Sequence, residues 1–274
     1  MPGACQGQGG RSQEIVGHLT TDMDLQLIYC QGDILLTPEG NIPHSVPDGI
    51  CLKPWNQVTT IHHNGDSCHI IRLDAPPASP ECGIMTPLRK SFQILSRNDY
   101  QLATKGAELL YFDQNSRFCG CCGAPMKWST DISKKCTGCH KELWPSLAPA
   151  IIVRIERGES ILMVHARTFR DKHYGLVAGF VETGESLEQC VKREVMEETG
   201  LTIRDIRYFG SQSWPYPSGL MVGFTAKYES GELHIQKEEL NSAGWFTRDH
   251  LPILPDTCSI ARQLVDDWLA TPSE

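Results

Sequence analysis

The sequence lacks any run of about 18 apolar residues that would cross a bilayer as a helix, and its best stretch, "APAIIVRIE", is broken by Arg154. The opening residues, "MPGACQGQGGRSQE", contain neither a cationic segment nor an apolar one, so no secretory signal is read there. Together these absences predict a soluble protein, with residues 1–23 as a flexible tail. Basic residues are also in short supply. The chain carries 25 Lys+Arg against 33 Asp+Glu, a net of −8, which argues against a protein built to coat nucleic acid or anionic membrane. Internal repeats and low-complexity tracts are missing too.

Cysteine, by contrast, is plentiful. Four of the 12 fall into two C-x-x-C pairs, while Cys30, Cys51, Cys68, Cys190 and Cys258 are scattered and read as buried, reduced thiols. In a chain of 274 residues this favours a reducing, cytoplasmic setting over a disulfide framework.

The length suits more than one core. Over 24–115 short apolar runs ("LQLIY", "DILLT", "GICLK", "CHIIRL") are punctuated by Pro, Gly and Asn, which predicts a β-rich N-terminal domain. That domain would close with a short helix in "LATKGAELLYFDQN". From 149 onward "AIIVRIE", "SILMVHA" and "LMVGFTAKY" read as strands around one helix, followed by a closing helix in "CSIARQLVDDWLA". Ile260, Leu264 and Trp268 share a face of that last helix, with Asp266 and Asp267 turned away. The fold class expected is α+β.

Between the two parts, over 116–148, Cys119, Cys122, Cys136 and Cys139 are spaced C-x2-C-x13-C-x2-C. Two knuckle turns each offering two thiolates complete a closed tetrahedral site, the arrangement of a structural zinc ribbon. Cys121 would alter the first knuckle's spacing and is left out of the ligand set. Arg117, Lys127, Lys134, Lys135 and Lys141 face only Asp131 and Glu142 here, a local +3, with Trp128 and Trp144 interleaved. Contact with RNA and a solvated ribbon surface both fit that pattern.

Glu194, Glu197 and Glu198 fall at i, i+3 and i+4 of a helix that Ser186 and Gln189 open as a capping box and Gly200 stops. Like charges so placed cost about 0.2–0.5 kcal/mol per pair. A divalent cation, Mg²⁺ or Mn²⁺, removes the conflict, because hard oxygen donors on one rigid face are what it binds. Leu187, Val191 and Val195 mark a separate stripe suited to a core, and Arg193 can orient a neighbouring carboxylate.

Gly179, Glu185 and "REVMEETGL" together match G-x5-E-x7-R-E-U-x-E-E-x-G-U, where U is a bulky aliphatic, at every defined position. The chain thus resembles the Nudix hydrolases. The resemblance implies an α/β/α sandwich around a mixed sheet and hydrolysis of a nucleoside diphosphate linked to another group. It also implies that Glu194, Glu197 and Glu198 carry the metals and help to activate water, while Arg193 and Glu185 tie loop to helix.

Further on, "SQSWPYPSG" (211–219) is similar to S-Q-P-W-P-F-P-x-S, the mark of the NADH pyrophosphatases, a family that also has a zinc ribbon and a β-rich N-terminal domain. Ser213, Tyr216 and Gly219 depart from that signature, which bears on the choice among dinucleotides. By resemblance Gln212, Ser213, Trp214, Pro215, Tyr216, Pro217, Ser218 and Gly219 would line the nicotinamide half of the substrate, with Trp144 and Ala261 as further contacts. Glu239 and the carbonyl of Ala178 would add metal ligands, and Arg89 is offered as a phosphate contact; nothing else in the N-terminal third receives a chemical role. The implied reaction splits NADH or NAD⁺ into nicotinamide mononucleotide and AMP, extends to NAD caps on RNA, and belongs to a homodimer. Hydrolysis of another dinucleotide or nucleotide sugar is the alternative, followed by a non-catalytic reader of capped RNA.

Overall fold

The computed structural model describes residues 24–169 and 171–271; the tail expected over 1–23 lies outside them. Five strands come first: β1 (Leu25–Cys30), β2 (Asp33–Leu36), β3 (Gln57–His63), β4 (Asp66–Arg72) and β5 (Ile84–Pro87). They form one sheet in the order β3-β4-β1-β2-β5, in which β1 and β4 run parallel. Both of its faces are covered, and so β1 and β4 read as continuous apolar runs and not as alternating ones. Leu27, Tyr29 and Ile70 pack on one side against Leu102 and Leu109, while Ile28, Leu35 and Ile71 form a second cluster.

The segment after β5 forms α1 (Leu88–Ser91) and α2 (Arg97–Asn115). At 19 residues α2 is longer than its apolar positions suggest. Its first turn is polar and is fixed by the Ser96 cap, whose Oγ accepts from the Asp99 N–H at 3.1 Å. "GICLK" is not a strand: it sits between Pro47 and Pro54, and Gly49 has φ 89°. The strands of this sheet that the apolar runs miss are β3, "QVTTIHH", which has one fully buried apolar side chain, Ile61, and the short edge strand β5, "IMTP".

Three short strands, β6 (Met126–Trp128), β7 (Lys134–Cys136) and β8 (Glu142–Leu143), make the ribbon. Its +3 is smaller at the surface. Lys134 is buried, ion-paired to Asp113 at 2.6 Å and enclosed by Phe112 and Trp128. Trp128 therefore packs, whereas Trp144 is 55% exposed. Of the scattered cysteines, Cys30, Cys68, Cys190 and Cys258 are buried as expected; Cys51, in the irregular segment before β3, is exposed.

The last part comprises β9 (Ala148–Arg157), β10 (Ser160–Ala166), β11 (Val177–Phe180), α3 (Leu187–Thr199), β12 (Thr202–Trp214), β13 (Gly219–Ser230), β14 (Leu240–Thr247) and α4 (Ile260–Ala270). The sheet order is β12-β13-β9-β10-β14 with β11 also paired to β9, and the β9–β13 pair is parallel in an otherwise antiparallel sheet. Alternation along β9 and β10 divides the core. Ile151, Val153, Ile155, Leu162 and Val164 meet Val191 and Val195 of α3; Ile152, Ile161 and Met163 meet Ile260, Leu264 and Trp268 of α4. This is the expected α/β/α sandwich. Arg154, the charge that interrupts the apolar run, is buried and donates to the Leu264 carbonyl at 2.5 Å and to Asp267 at 2.8 Å. Asp267 thus holds α4 to the sheet. Among the described residues no helix is long and apolar enough to cross a membrane.

Leu264 is fully buried between α4 and the sheet. Leu264→Ala should cost about 2–5 kcal/mol, the range for such deletions, read as a lower denaturant midpoint in equilibrium unfolding.

Candidate active site

The capping box forms as the sequence predicts. Ser186 Oγ accepts from the Gln189 N–H at 3.2 Å, Gln189 Oε1 accepts from the Ser186 N–H at 2.7 Å, and Gly200 ends α3 at φ 70°. Val191 and Val195 fix the helix's rotation by entering the core. Glu194 and Glu198 are buried as a result, and Glu197 stays exposed.

One cation organises these acids. Arg193 reaches back to Glu185 with two bonds, Nη2 to Oε1 at 2.7 Å and Nε to Oε2 at 3.1 Å, and donates to Glu194 at 2.8 Å and Glu197 at 3.0 Å. It also donates to the Phe180 carbonyl at 3.0 Å, so β11, the loop after it and α3 share one guanidinium. The Arg193 bonds, helped by the Glu182 N–H, hold the Glu185 carboxyl down to about 2. Gly179 explains itself here: a Cβ at that position would overlap the Glu194 carboxylate.

Glu198 has no share in this arrangement. It is 4% exposed, and among the described residues its carboxylate has neither a hydrogen-bond donor nor a cation. Burial, followed by repulsion from Glu194, Glu239 and Glu197, pushes its carboxyl up to about 8. A buried acid crowded by like charges and lacking a partner is the donor set that a hard divalent cation suits.

β11 links these acids to a cavity. Ala178, the residue before Gly179, lines a space of ≈ 930 Å³ together with Trp214 and Ala261, and Arg89 and Phe92 enter it from the N-terminal domain. Phe169 and His173, stacked with ring centroids 4.2 Å apart, add another wall. The other residues proposed for substrate binding lie elsewhere. Pro215, Tyr216 and Pro217 face a second cavity, with Tyr216 packed against the N-terminal core and its hydroxyl 3.1 Å from that of Tyr100. Gln212 donates to the Cys258 carbonyl at 2.6 Å and accepts from the Ile260 N–H at 2.7 Å, which anchors the start of α4. Ser213 donates to Glu108 at 2.8 Å, Ser218 donates to the Ser146 carbonyl at 3.0 Å, and Gly219 pairs with Ala148. Neither these four nor Trp144 lines either cavity. Phe92, Phe169 and His173 carry no motif, and only the fold brings them in.

In the ribbon the Sγ atoms of Cys119, Cys122, Cys136 and Cys139 all lie within 4.8 Å of one another. The backbone N–H groups of Cys121 and Cys122 hold the Cys119 thiol down to about 6, the state in which a thiol binds metal. Cys121 Sγ turns outward to Lys141 Nζ at 3.3 Å, outside the cluster. A closed four-thiolate set fits a structural metal ion.

The position of Glu198 has a measurable consequence. Its folded-state pKa is raised, so between about 4.5 and 8 the unfolded chain releases the proton while the metal-free folded chain keeps it, and stability falls as pH rises through that window. In chelator-treated protein at pH 8, Glu198→Gln should raise stability by about 1–3 kcal/mol. Thermal unfolding should show the difference shrinking toward pH 5.

A family model described as NUDIX domain matches residues 145–268. The NAD-capped RNA hydrolase NudC of Klebsiella pneumoniae (strain 342) is 37% identical over 239 residues, 86% of this chain and 90% of the relative. The protein of the same name from Citrobacter koseri is 45% identical over 172 residues, 62% of this chain and 67% of the relative. Among solved structures, a NUDIX hydrolase from Nitrosomonas europaea, 22% identical, aligns over 57% of this chain and 95% of its own with a TM-score of 0.47. The extent and identity of the match to the NudC relatives mean that this chain belongs to the NADH pyrophosphatase family of the Nudix hydrolases.

Proposed function

We propose that the chain hydrolyses the pyrophosphate of NADH or NAD⁺ to nicotinamide mononucleotide and AMP, and removes NAD caps from RNA, with Mg²⁺ or Mn²⁺ as cofactor. The observation that carries this reading is the buried, unpartnered Glu198 beside Glu194, one strand residue away from a cavity large enough for a dinucleotide half. The names of the NudC relatives point to the same chemistry.

Glu194, Glu197, Glu198 and Glu239, with the Ala178 carbonyl, are the groups that would hold the divalent ions. When bound, such ions neutralise the diphosphate and acidify water. Arg193 and Glu185 position the acids and do not touch the reacting atoms, since their side chains are committed to one another. A water oxygen attacks one phosphorus, the bridging P–O bond breaks, and each product keeps one phosphate. Trp214 and Ala261 bound the cavity that takes a base. In the ribbon the four cysteines would hold a structural zinc. A homodimer is proposed on the family resemblance.

Ser213 argues against altered specificity. Its hydroxyl donates to Glu108 of α2 and the residue lines neither cavity, which supports the NADH reading over another dinucleotide.

Incubation of the purified chain with NADH and Mg²⁺ or Mn²⁺ should yield the two mononucleotides in equal amounts, and chelator should stop the reaction. Intact NADH and intact capped RNA under both metals would sink the proposal. Glu198→Gln should lower turnover by at least about 10²-fold. For the ribbon, Cys136→Ser should abolish the one zinc per chain expected by elemental analysis and lower thermal stability; retained zinc would count against the four-thiolate assignment.

A further inference from the structure

Trp214 sits at the end of a hairpin whose own pairing does not decide where its ring stands. The β12–β13 ladder ends at Trp214 and Gly219, and Ser213 pairs with Leu220 just before it. Beyond that point Pro215 and Pro217 have no N–H, and the Tyr216 N–H turns inward to the Trp214 carbonyl at 2.7 Å. The ladder therefore fixes the tip's shape. It does not fix how far the tip stands from Arg89 and Phe92, which line the same cavity from the N-terminal part of the chain.

Three side-chain contacts bear on that separation. Tyr216 packs into the N-terminal core with its hydroxyl 3.1 Å from that of Tyr100, the Arg89 guanidinium lies 5.4 Å from the Trp214 ring centroid, and the Ser213 hydroxyl donates to Glu108 at 2.8 Å. The last differs in kind. Arg89 is shared with Asp256 at 3.3 Å and the two tyrosine hydroxyls are neutral, whereas Glu108 offers a carboxylate, and hydrogen bonds to an ionised acceptor are about twice as strong as neutral ones. Among the described residues the Ser213 hydroxyl is the only hydrogen-bond donor to Glu108, which has no cation partner there. Burial pushes the Glu108 carboxyl above its ordinary value and the Ser213 bond opposes that shift, so the carboxylate is stabilised by keeping this donor.

Glu108 and Ser213 line neither cavity, so their bond reaches a ligand only through the next residue, Trp214. A proline at 213, as in the family signature, has no hydroxyl to donate, and the tie belongs to this chain's departure from it. We propose that Glu108 is a positioning residue, which through Ser213 holds the Trp214 ring at the cavity and so sets how tightly the dinucleotide is bound. The inference rests on the proposed hydrolysis of NADH. No residue of the hairpin tip takes part in the Arg193 arrangement that orders the acids, so the ring acts on binding and not on the chemical step. A contact made equally in the ground and transition states shows in KM and leaves kcat unchanged.

The test is steady-state hydrolysis of NADH by the full-length wild type, Glu108→Ala, Glu108→Gln, Ser213→Ala, Trp214→Ala and the double variant Glu108→Ala/Trp214→Ala, each first checked for an unchanged melting temperature. Glu108→Ala and Ser213→Ala, which remove the same bond from its two ends, should each raise KM about three- to tenfold and keep kcat within about twofold. Glu108→Gln, which retains an acceptor for the hydroxyl, should stay within about twofold of the wild-type KM. Trp214→Ala should raise KM at least as far, and adding Glu108→Ala to it should change nothing more, because the two act through one ring. An unchanged KM in both alanine variants of the bond, a fall in kcat at constant KM, or a further rise in the double variant would overturn the inference. Failure of the underlying reaction is recognised separately, because the wild type itself would then leave NADH intact.

Discussion

The structure of the site depends on one guanidinium. Arg193 spends its donors on Glu185, Glu194, Glu197 and the Phe180 carbonyl, and these bonds fix three segments that share no regular hydrogen-bonded pairing: β11, the loop after it, and α3. A single arginine can do this because its planar fork presents several donors in fixed directions. The arrangement leaves Glu198 without a cation of its own, and its buried carboxylate is the unmet electrostatic demand on which the proposed chemistry stands. Stability is given up at that point so that a ligand can restore it.

The N-terminal part of the chain supplies some of the wall of the cavity beside Ala178, although its sequence carries almost no chemical signal. Arg89 and Phe92 reach the cavity beside Ala178, while Tyr100 and Glu108 bind Tyr216 and Ser213. The Trp-Pro-Tyr-Pro segment is thereby held from outside its own domain. Buried aromatic packing and two side-chain hydrogen bonds place Trp214 against Arg89, so that the wall of the cavity beside Ala178 is built from both the N-terminal residues and the last part of the chain.

How far the sequence was legible varies with the range of the interactions involved. The capping box of α3, its glycine stop and its core stripe arise from contacts within a few residues, and all appear where spacing puts them. The four cysteines converge for the same reason, since each pair is confined to one turn. By contrast "GICLK" looked like a strand and "QVTTIHH" did not, because strand formation there depends on which neighbours the sheet supplies. Lys134 looked like surface charge until Asp113, outside the ribbon, buried it. Gln212, Ser213 and Ser218 looked like ligand contacts but are bound to Cys258, Glu108 and Ser146, from 46 to 105 residues away in the chain.

The sequence by itself determined the helix that carries the glutamates, the thiolate cluster and the alternating strands that sandwich a mixed sheet, because local spacing and periodicity encode each of them. Only the tertiary structure decided which acids are buried, which one lacks a partner, and how the Trp-Pro-Tyr-Pro segment is divided between two cavities. Desolvation and long-range packing set those outcomes, and both depend on residues that meet only after the chain has folded.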